Sequence, residues 1–196
     1  FCAGPLVGTL VVEKRMILDT GQGGVPVLLQ GAMFEGPGWL KGQPDYNALG
    51  FPDAGAITTL EAWGVNFVRL TLSSDAWDQR CNEDYADSYP SPGYQADVQN
   101  TVSALTSAGI YVVLDLYTSN PDCKLPGPAI SGDVPMPGQD AAEFWQEVSG
   151  TFAHNPLVGF EPWNEPEICA TSPETAKPVG TISRCSQANL DAGWAK

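Results

Sequence analysis

The sequence predicts an α/β protein built on parallel β/α units. Three observations carry that prediction. Apolar runs of strand length, at 65–72, 110–116 and 157–160, alternate with stretches whose apolar residues recur at helical spacing. Gly64 and Gly109 each close a helical stretch just before a strand. The long turn-rich insertions, 76–92, 120–138 and 166–186, all follow strands rather than helices.

The elements follow in order. Runs at 10–12 and 25–29 flank the turn-rich Asp19-Thr20-Gly21-Gln22-Gly23-Gly24, which predicts an opening hairpin. The second run continues through Gln30-Gly31-Ala32-Met33-Phe34, the candidate first strand of the main sheet. Asp53 can cap a helix carrying Ile57 and Leu60, and strand two is expected at 65–72. Val98, Val102 and Leu105, at i, i+4 and i+7, predict the next helix, and 110–116 is strand three. Phe144, Trp145, Val148 and Phe152 form one stripe of a third helix. Asn155-Pro156 then leads into the fourth strand and Asn164-Glu165-Pro166.

A chain of 196 residues, 43% hydrophobic, suffices for one domain with a sizeable core, and no apolar run is long enough to span a membrane. The net charge of −14 argues against nucleic acid or an anionic membrane as partner. A neutral polysaccharide carries no such penalty. The five cysteines, at 2, 81, 123, 169 and 185, lack zinc-site spacing, and the single histidine, His154, reads as structural. No metal and no cofactor are expected. Disulfides in a secreted protein fit better, with Cys169–Cys185 and Cys81–Cys123 as candidate pairs and Cys2 left over. Spacing alone does not decide the connectivity. The chain begins at Phe1, and 187–196 reads as a helix cut short, so a fragment of a longer protein is expected.

Strand alternation sorts the candidate functional residues. On strand two, Val68, Leu70 and Leu72 suit the helices, leaving Phe67, Arg69 and Thr71 on the other face. A buried arginine requires partners. On strand three, Val112, Leu114 and Leu116 face the helices, and Tyr111, Val113, Asp115 and Tyr117 oppose them. On strand four, plain alternation sends Glu161, Trp163 and Glu165 inward and Asn164 outward. A bulge at the strand end is needed if Asn164 and Glu165 are both to face inward. Pro166 helps end the pairing, and Pro162 is hard to accommodate within a strand.

Helix, Asn155-Pro156, apolar strand and Trp163-Asn164-Glu165-Pro166, in that order, resemble the fourth strand of the cellulase-like glycoside hydrolases of family 5. These belong to the clan of retaining (β/α)8-barrel glycosidases. The resemblance runs from about residue 28 to 196 and implies a TIM barrel, of which this chain covers roughly the first four β/α units. Residues 1–26 would form a hairpin floor and 27–196 the first half of the barrel, since a complete one takes about 250 residues. Strand-following loops of a barrel gather at the catalytic face.

The resemblance further implies a retaining glycoside hydrolase that cleaves β-linked polysaccharide in the manner of an endoglucanase. Glu165 would be the acid/base, Asn164 would hold the sugar 2-hydroxyl, and Arg69 would lie beneath the catalytic carboxylates. Trp39, Trp77, Trp163 and Tyr117 could offer flat faces to sugar rings, with Asp115 nearby, and for Trp39 and Trp77 ordinary loop packing is an equal alternative. Glu161 would support the site from below or pair with Arg69. The nucleophile belongs to a seventh strand that these residues do not include, so the fragment alone is expected to be inactive. Its open sheet edges would favour aggregation or a homodimer. The chain departs from the family pattern at Tyr117, where a histidine is usual, at Pro162, and at Gly31-Ala32-Met33. A non-catalytic carbohydrate-binding barrel and another Asn-Glu-Pro glycosidase family of the same clan, mannanase-like, are the alternatives.

Overall fold

In a computed structural model, residues 5–34, 53–78, 93–118 and 139–164 are described. Two sheets organise them. An antiparallel sheet is formed by β1 (Leu10–Glu13), β2 (Met16–Asp19) and β3 (Val25–Val27), in that order. A parallel sheet is formed by β4 (Gly31–Phe34), β5 (Phe67–Ser73), β6 (Tyr111–Thr118) and β7 (Val158–Glu161), again in sequence order. Helices α1 (Ala54–Ala62), α3 (Gly93–Ser107) and α4 (Gln139–Phe152) precede β5, β6 and β7, and the short α2 (Ser74–Asp78) follows β5 directly. This is the expected parallel α/β arrangement.

The opening hairpin is corrected. The runs at 10–12 and 25–29 are not neighbours, because Met16–Asp19 lies between them and pairs with both. The first reversal occurs at Lys14, whose φ of 57° places it in the left-handed region. With only two residues between β1 and β2, that turn left little signal in the sequence. The run expected to continue through 25–34 is also divided. Val25–Val27 joins the antiparallel sheet and Gly31–Phe34 the parallel one. Buried Asn66 bridges the division, with Oδ1 accepting from the Gln30 N–H at 2.8 Å and Nδ2 donating to the Leu28 carbonyl at 3.0 Å. These bonds satisfy backbone groups that neither ladder pairs.

The helices start and stop as the residues dictate. The Asp53 side chain accepts from the Ala56 N–H at 2.7 Å and caps α1. Gly64 and Gly109 both take φ of +73°, the left-handed step that ends a helix. Ile57, Leu60, Val98, Val102, Leu105, Phe144, Val148 and Phe152 turn inward onto Val68, Leu70, Leu72, Val112, Leu114 and Leu116, forming one core cluster. Each fully buried aliphatic side chain there contributes about 1.5–3 kcal/mol relative to exposure. A smaller cluster, Leu6, Val27 and Leu157 with Tyr111 and Ile17 against it, ties the antiparallel sheet to the region where β6 and β7 begin. The Leu6 N–H also donates to the Gly109 carbonyl. The antiparallel sheet therefore sits at the end of the parallel strands opposite the one where β5, β6 and β7 finish. That far end carries the polar residues of interest.

Candidate active site

Register brings distant residues abreast. Thr71, Asp115 and Glu161 are paired across β5, β6 and β7, while Arg69 starts two residues lower, opposite Met33 and Val113. All stand on the face away from the helices, as alternation requires. Val68, Leu70, Val112 and Leu114 on the opposite face are fully buried against the helices, which leaves little freedom in the placement of these inner side chains.

Arg69 is the hub. Its Nε donates to Glu161 Oε2 at 2.7 Å and its Nη2 to Glu161 Oε1 at 2.9 Å, a two-pronged contact. Nη2 also reaches Asp115 Oδ2 at 3.0 Å and Asn164 Oδ1 at 2.9 Å. Nη1 lies 3.2 Å from the Met33 sulfur. The Asp115 side chain is wholly buried and Arg69 is 22% exposed. A carboxylate so enclosed costs several kcal/mol unless a cation compensates it, and Arg69 supplies that cation. Hydrogen bonding to Glu161 raises the Arg69 guanidinium above its ordinary range; burial opposes this, and the charges of Asp115, Glu161 and Tyr117 add to it. Arg69 is a permanent donor that neither takes nor gives a proton.

The end of β7 departs from plain alternation. Glu161 faces the inner side, but pairing stops there and Pro162 offers no N–H to continue it. Trp145 Nε1 holds the Pro162 carbonyl at 2.9 Å. Trp163, expected to face inward, is 3% exposed within the helix-side core, and its Nε1 has no hydrogen-bond partner among the described residues. Asn164, expected to face outward unless a bulge intervened, turns in to Arg69 while its own N–H donates to the Leu116 carbonyl at 3.1 Å. The break after Glu161 does the work of that bulge.

Trp77 takes the packing alternative. Instead of offering an open face, it is 2% exposed, set edge-on to Phe144 with ring centres 6.0 Å apart, and donates to Glu147 at 3.3 Å. The cause is α2. Ser73 Oγ accepts from the Ala76 N–H and starts a short helix where a loop was expected, folding the ring into the core. Tyr117 stays on the inner face near the end of β6, half-buried. His154 is exposed beyond α4. Glu165, Trp39 and all five cysteines lie outside the described residues. Sequence reasoning overlooked Met33 as a partner of Arg69, although its place opposite Arg69 follows once β4 and β5 are set in parallel register. Among the described residues, no group of three His, Cys, Asp or Glu is placed to hold a metal ion, and no helix is long and apolar enough to cross a membrane.

Two carboxylates, a carboxamide and an arginine gathered toward the finishing end of the parallel strands define a polar site on an α/β sheet. The family model of cellulases, glycosyl hydrolase family 5, matches residues 23–191, and the chain belongs to that family. It is similar to a probable endo-β-1,4-glucanase B of Aspergillus oryzae, 29% identical over 115 residues that make up 59% of this chain and 31% of that protein. It is also similar to endo-β-1,4-glucanase A of Emericella nidulans, 30% identical over 115 residues, 59% of this chain and 32% of that one. Among solved structures, a hyperthermostable endocellulase superposes with a TM-score of 0.57 at 20% identity, over 87% of this chain and 46% of the other. An endocellulase of Pyrococcus horikoshii, solved with cellotetraose, gives 0.52 at 17% identity, over 87% and 45%. These likenesses associate the sheet and its helices with a (β/α)8-barrel fold. The chain spans about a third of the curated relatives' length and less than half of the solved chains.

Proposed function

We propose that the protein containing this chain is a retaining glycoside hydrolase that cleaves internal β-linked bonds of a glucan, with Glu165 as acid/base. The observation that carries the reading is the Arg69–Glu161–Asp115–Asn164 cluster at the finishing end of the parallel strands, with Glu165 the next residue after Asn164. Arg69 is a fixed cation, so proton transfer falls to a carboxyl group. In this reading Glu165 gives its proton to the departing glycosidic oxygen and later takes one from the attacking water. The Asn164 carboxamide meets the 2-hydroxyl of the sugar at the point of cleavage. The nucleophilic carboxylate must stand about 5–5.5 Å from the acid/base and comes from a later strand of the barrel.

In the same reading residues 1–26 are the barrel floor and 27–196 its first half, inactive without the second and prone to self-association. Secretion, with the cysteines paired as disulfides, belongs to it as well. The fungal relatives named as endo-β-1,4-glucanases support a β-1,4-glucan as substrate. A purely carbohydrate-binding role draws on open aromatic faces, and the burial of Trp77 and Trp163 leaves it fewer. The test is hydrolysis of soluble β-glucan by the complete protein and by Glu165→Gln. Loss of turnover in the variant with oligosaccharide binding retained supports the assignment. Undiminished turnover in the variant, or none in the parent, overturns it.

A further inference from the structure

We infer that Trp145 is a positioning residue whose indole N–H holds a bulge at the end of β7, the point from which the chain runs on to residue 165. The ladder between β6 and β7 reveals the bulge. Val112 stands opposite Val158 with its N–H on the Leu157 carbonyl, and the register continues to Asp115 opposite Glu161. One step further, Leu116 would face Pro162, and its carbonyl would take the N–H of Trp163. It takes the N–H of Asn164 instead, at 3.1 Å. An extra residue therefore lies on the β7 side of the ladder.

Pro162 starts that bulge and Trp145 fixes it. A ladder carbonyl lies in the plane of its sheet, yet the Pro162 carbonyl accepts at 2.9 Å from a side chain of α4, so its peptide is turned toward the helix layer. The donor is itself aimed. The Trp145 ring stands edge-on to Phe144 and to Phe160, with centres 4.9 Å and 5.6 Å apart. Trp163 packs into the same core cluster as Phe144, and Asn164 closes the bulge on Leu116. Without the indole N–H, the exposed Pro162 carbonyl is free to swing back toward plain alternation. That slip would turn Trp163 inward and Asn164 away from Arg69, and would displace whatever follows. The inference rests on the proposed function in its last step alone, which takes Glu165 to be the proton donor.

Two readouts test it on the complete protein, with Trp145→Phe and with the benzothienyl analogue of tryptophan at 145, which keeps the bicyclic ring and lacks the N–H. The first needs no substrate. Backbone amide exchange at Asn164 should quicken about fivefold or more in both variants, as for the loss of a hydrogen bond of ordinary net strength. Exchange at Val112, bonded at the start of the same ladder, should stay within about twofold of the parent. No change at Asn164, or an equal change at Val112, makes Trp145 ordinary packing and overturns the inference. The second compares kcat/KM on two substrates. A loss of about fivefold or more is expected on a cello-oligosaccharide, whose leaving oxygen needs a proton, and less than about twofold on dinitrophenyl β-cellobioside, whose phenolate leaves without one. Equal loss on both, or none on either, overturns the inference as well. Absence of hydrolysis in the parent overturns only the proposed function, and the exchange measurement still decides this one.

Discussion

Arg69 and Glu161 are 92 residues apart in sequence and meet in a two-pronged contact, Nε to Oε2 at 2.7 Å and Nη2 to Oε1 at 2.9 Å. One strand, β6, separates them, so the pair spans the sheet and crosses above Val113 to lie beside Asp115. Removing the arginine leaves Asp115 buried without its cation. We expect Arg69→Ala to destabilise the protein by roughly 2–4 kcal/mol in urea unfolding, and Arg69→Met combined with Asp115→Leu to recover most of the loss. A single variant as stable as the parent would show that the cluster adds nothing to the fold.

Asp19 links stability to acid at the other end of the sheet. Burial pushes its carboxyl up, but the backbone N–H of Val7, the Gln22 side chain and the backbone N–H groups of Gly21 and Gln22 together hold it below the usual 3.8. A carboxylate depressed on folding stabilises at every pH above its unfolded value, and that contribution is lost as pH falls through the folded one. We therefore expect Asp19→Asn, which sets donors against donors, to cost roughly 1–3 kcal/mol at pH 6. The difference from the parent should shrink as pH falls below about 3.8, where unfolded Asp19 is already half protonated, and toward the lower folded value. Denaturation midpoints across that range provide the measurement.

Gly64 and Gly109 share φ of +73° but not their surroundings. A Cβ on Gly64 meets nothing nearer than Gln30 Oε1 at 3.7 Å, whereas one on Gly109 would run into Pro5 and the Leu6 carbonyl. Gly64→Ala should cost about 1 kcal/mol of backbone strain, and Gly109→Ala distinctly more, about 2 kcal/mol or above. Similar thermal shifts for the two would refute the close docking of the N-terminal segment on Gly109.

Trp77 separates packing from recognition. Its truncation to alanine should cost about 3–5 kcal/mol of stability, as for a large buried aromatic. Trp77→Phe keeps most of the buried ring, so affinity for a cello-oligosaccharide by calorimetry should stay within about twofold of the parent. A large loss of affinity in a fully stable Trp77→Phe protein would return this residue to the substrate surface.

Much of this was legible in the amino-acid order. The helical stripes, the glycines that close helices and the alternation on strands two and three all describe local periodicity, and local periodicity is decided by which side chains can be buried together. Arg69 and Asp115 were recognisable as inner-face residues for that reason, and Glu161 as a partner for Arg69. The hairpin was not legible, because the two-residue reversal after Glu13 leaves hardly any mark in composition. The positions of Trp77 and Trp163 were not legible either. An aromatic in a turn-rich segment suits a sugar or a core equally well.

The described residues of 31–164 thus carried in their pattern the parallel sheet, its flanking helices and the faces that β5 and β6 would bury. Which polar groups touch was settled elsewhere, by the register between strands far apart in the chain and by the break after Glu161 that turned Trp163 toward the helices and Asn164 toward Arg69. Burial preference is a property of each residue and its near neighbours. A hydrogen bond across 92 residues depends on how whole strands are set against one another.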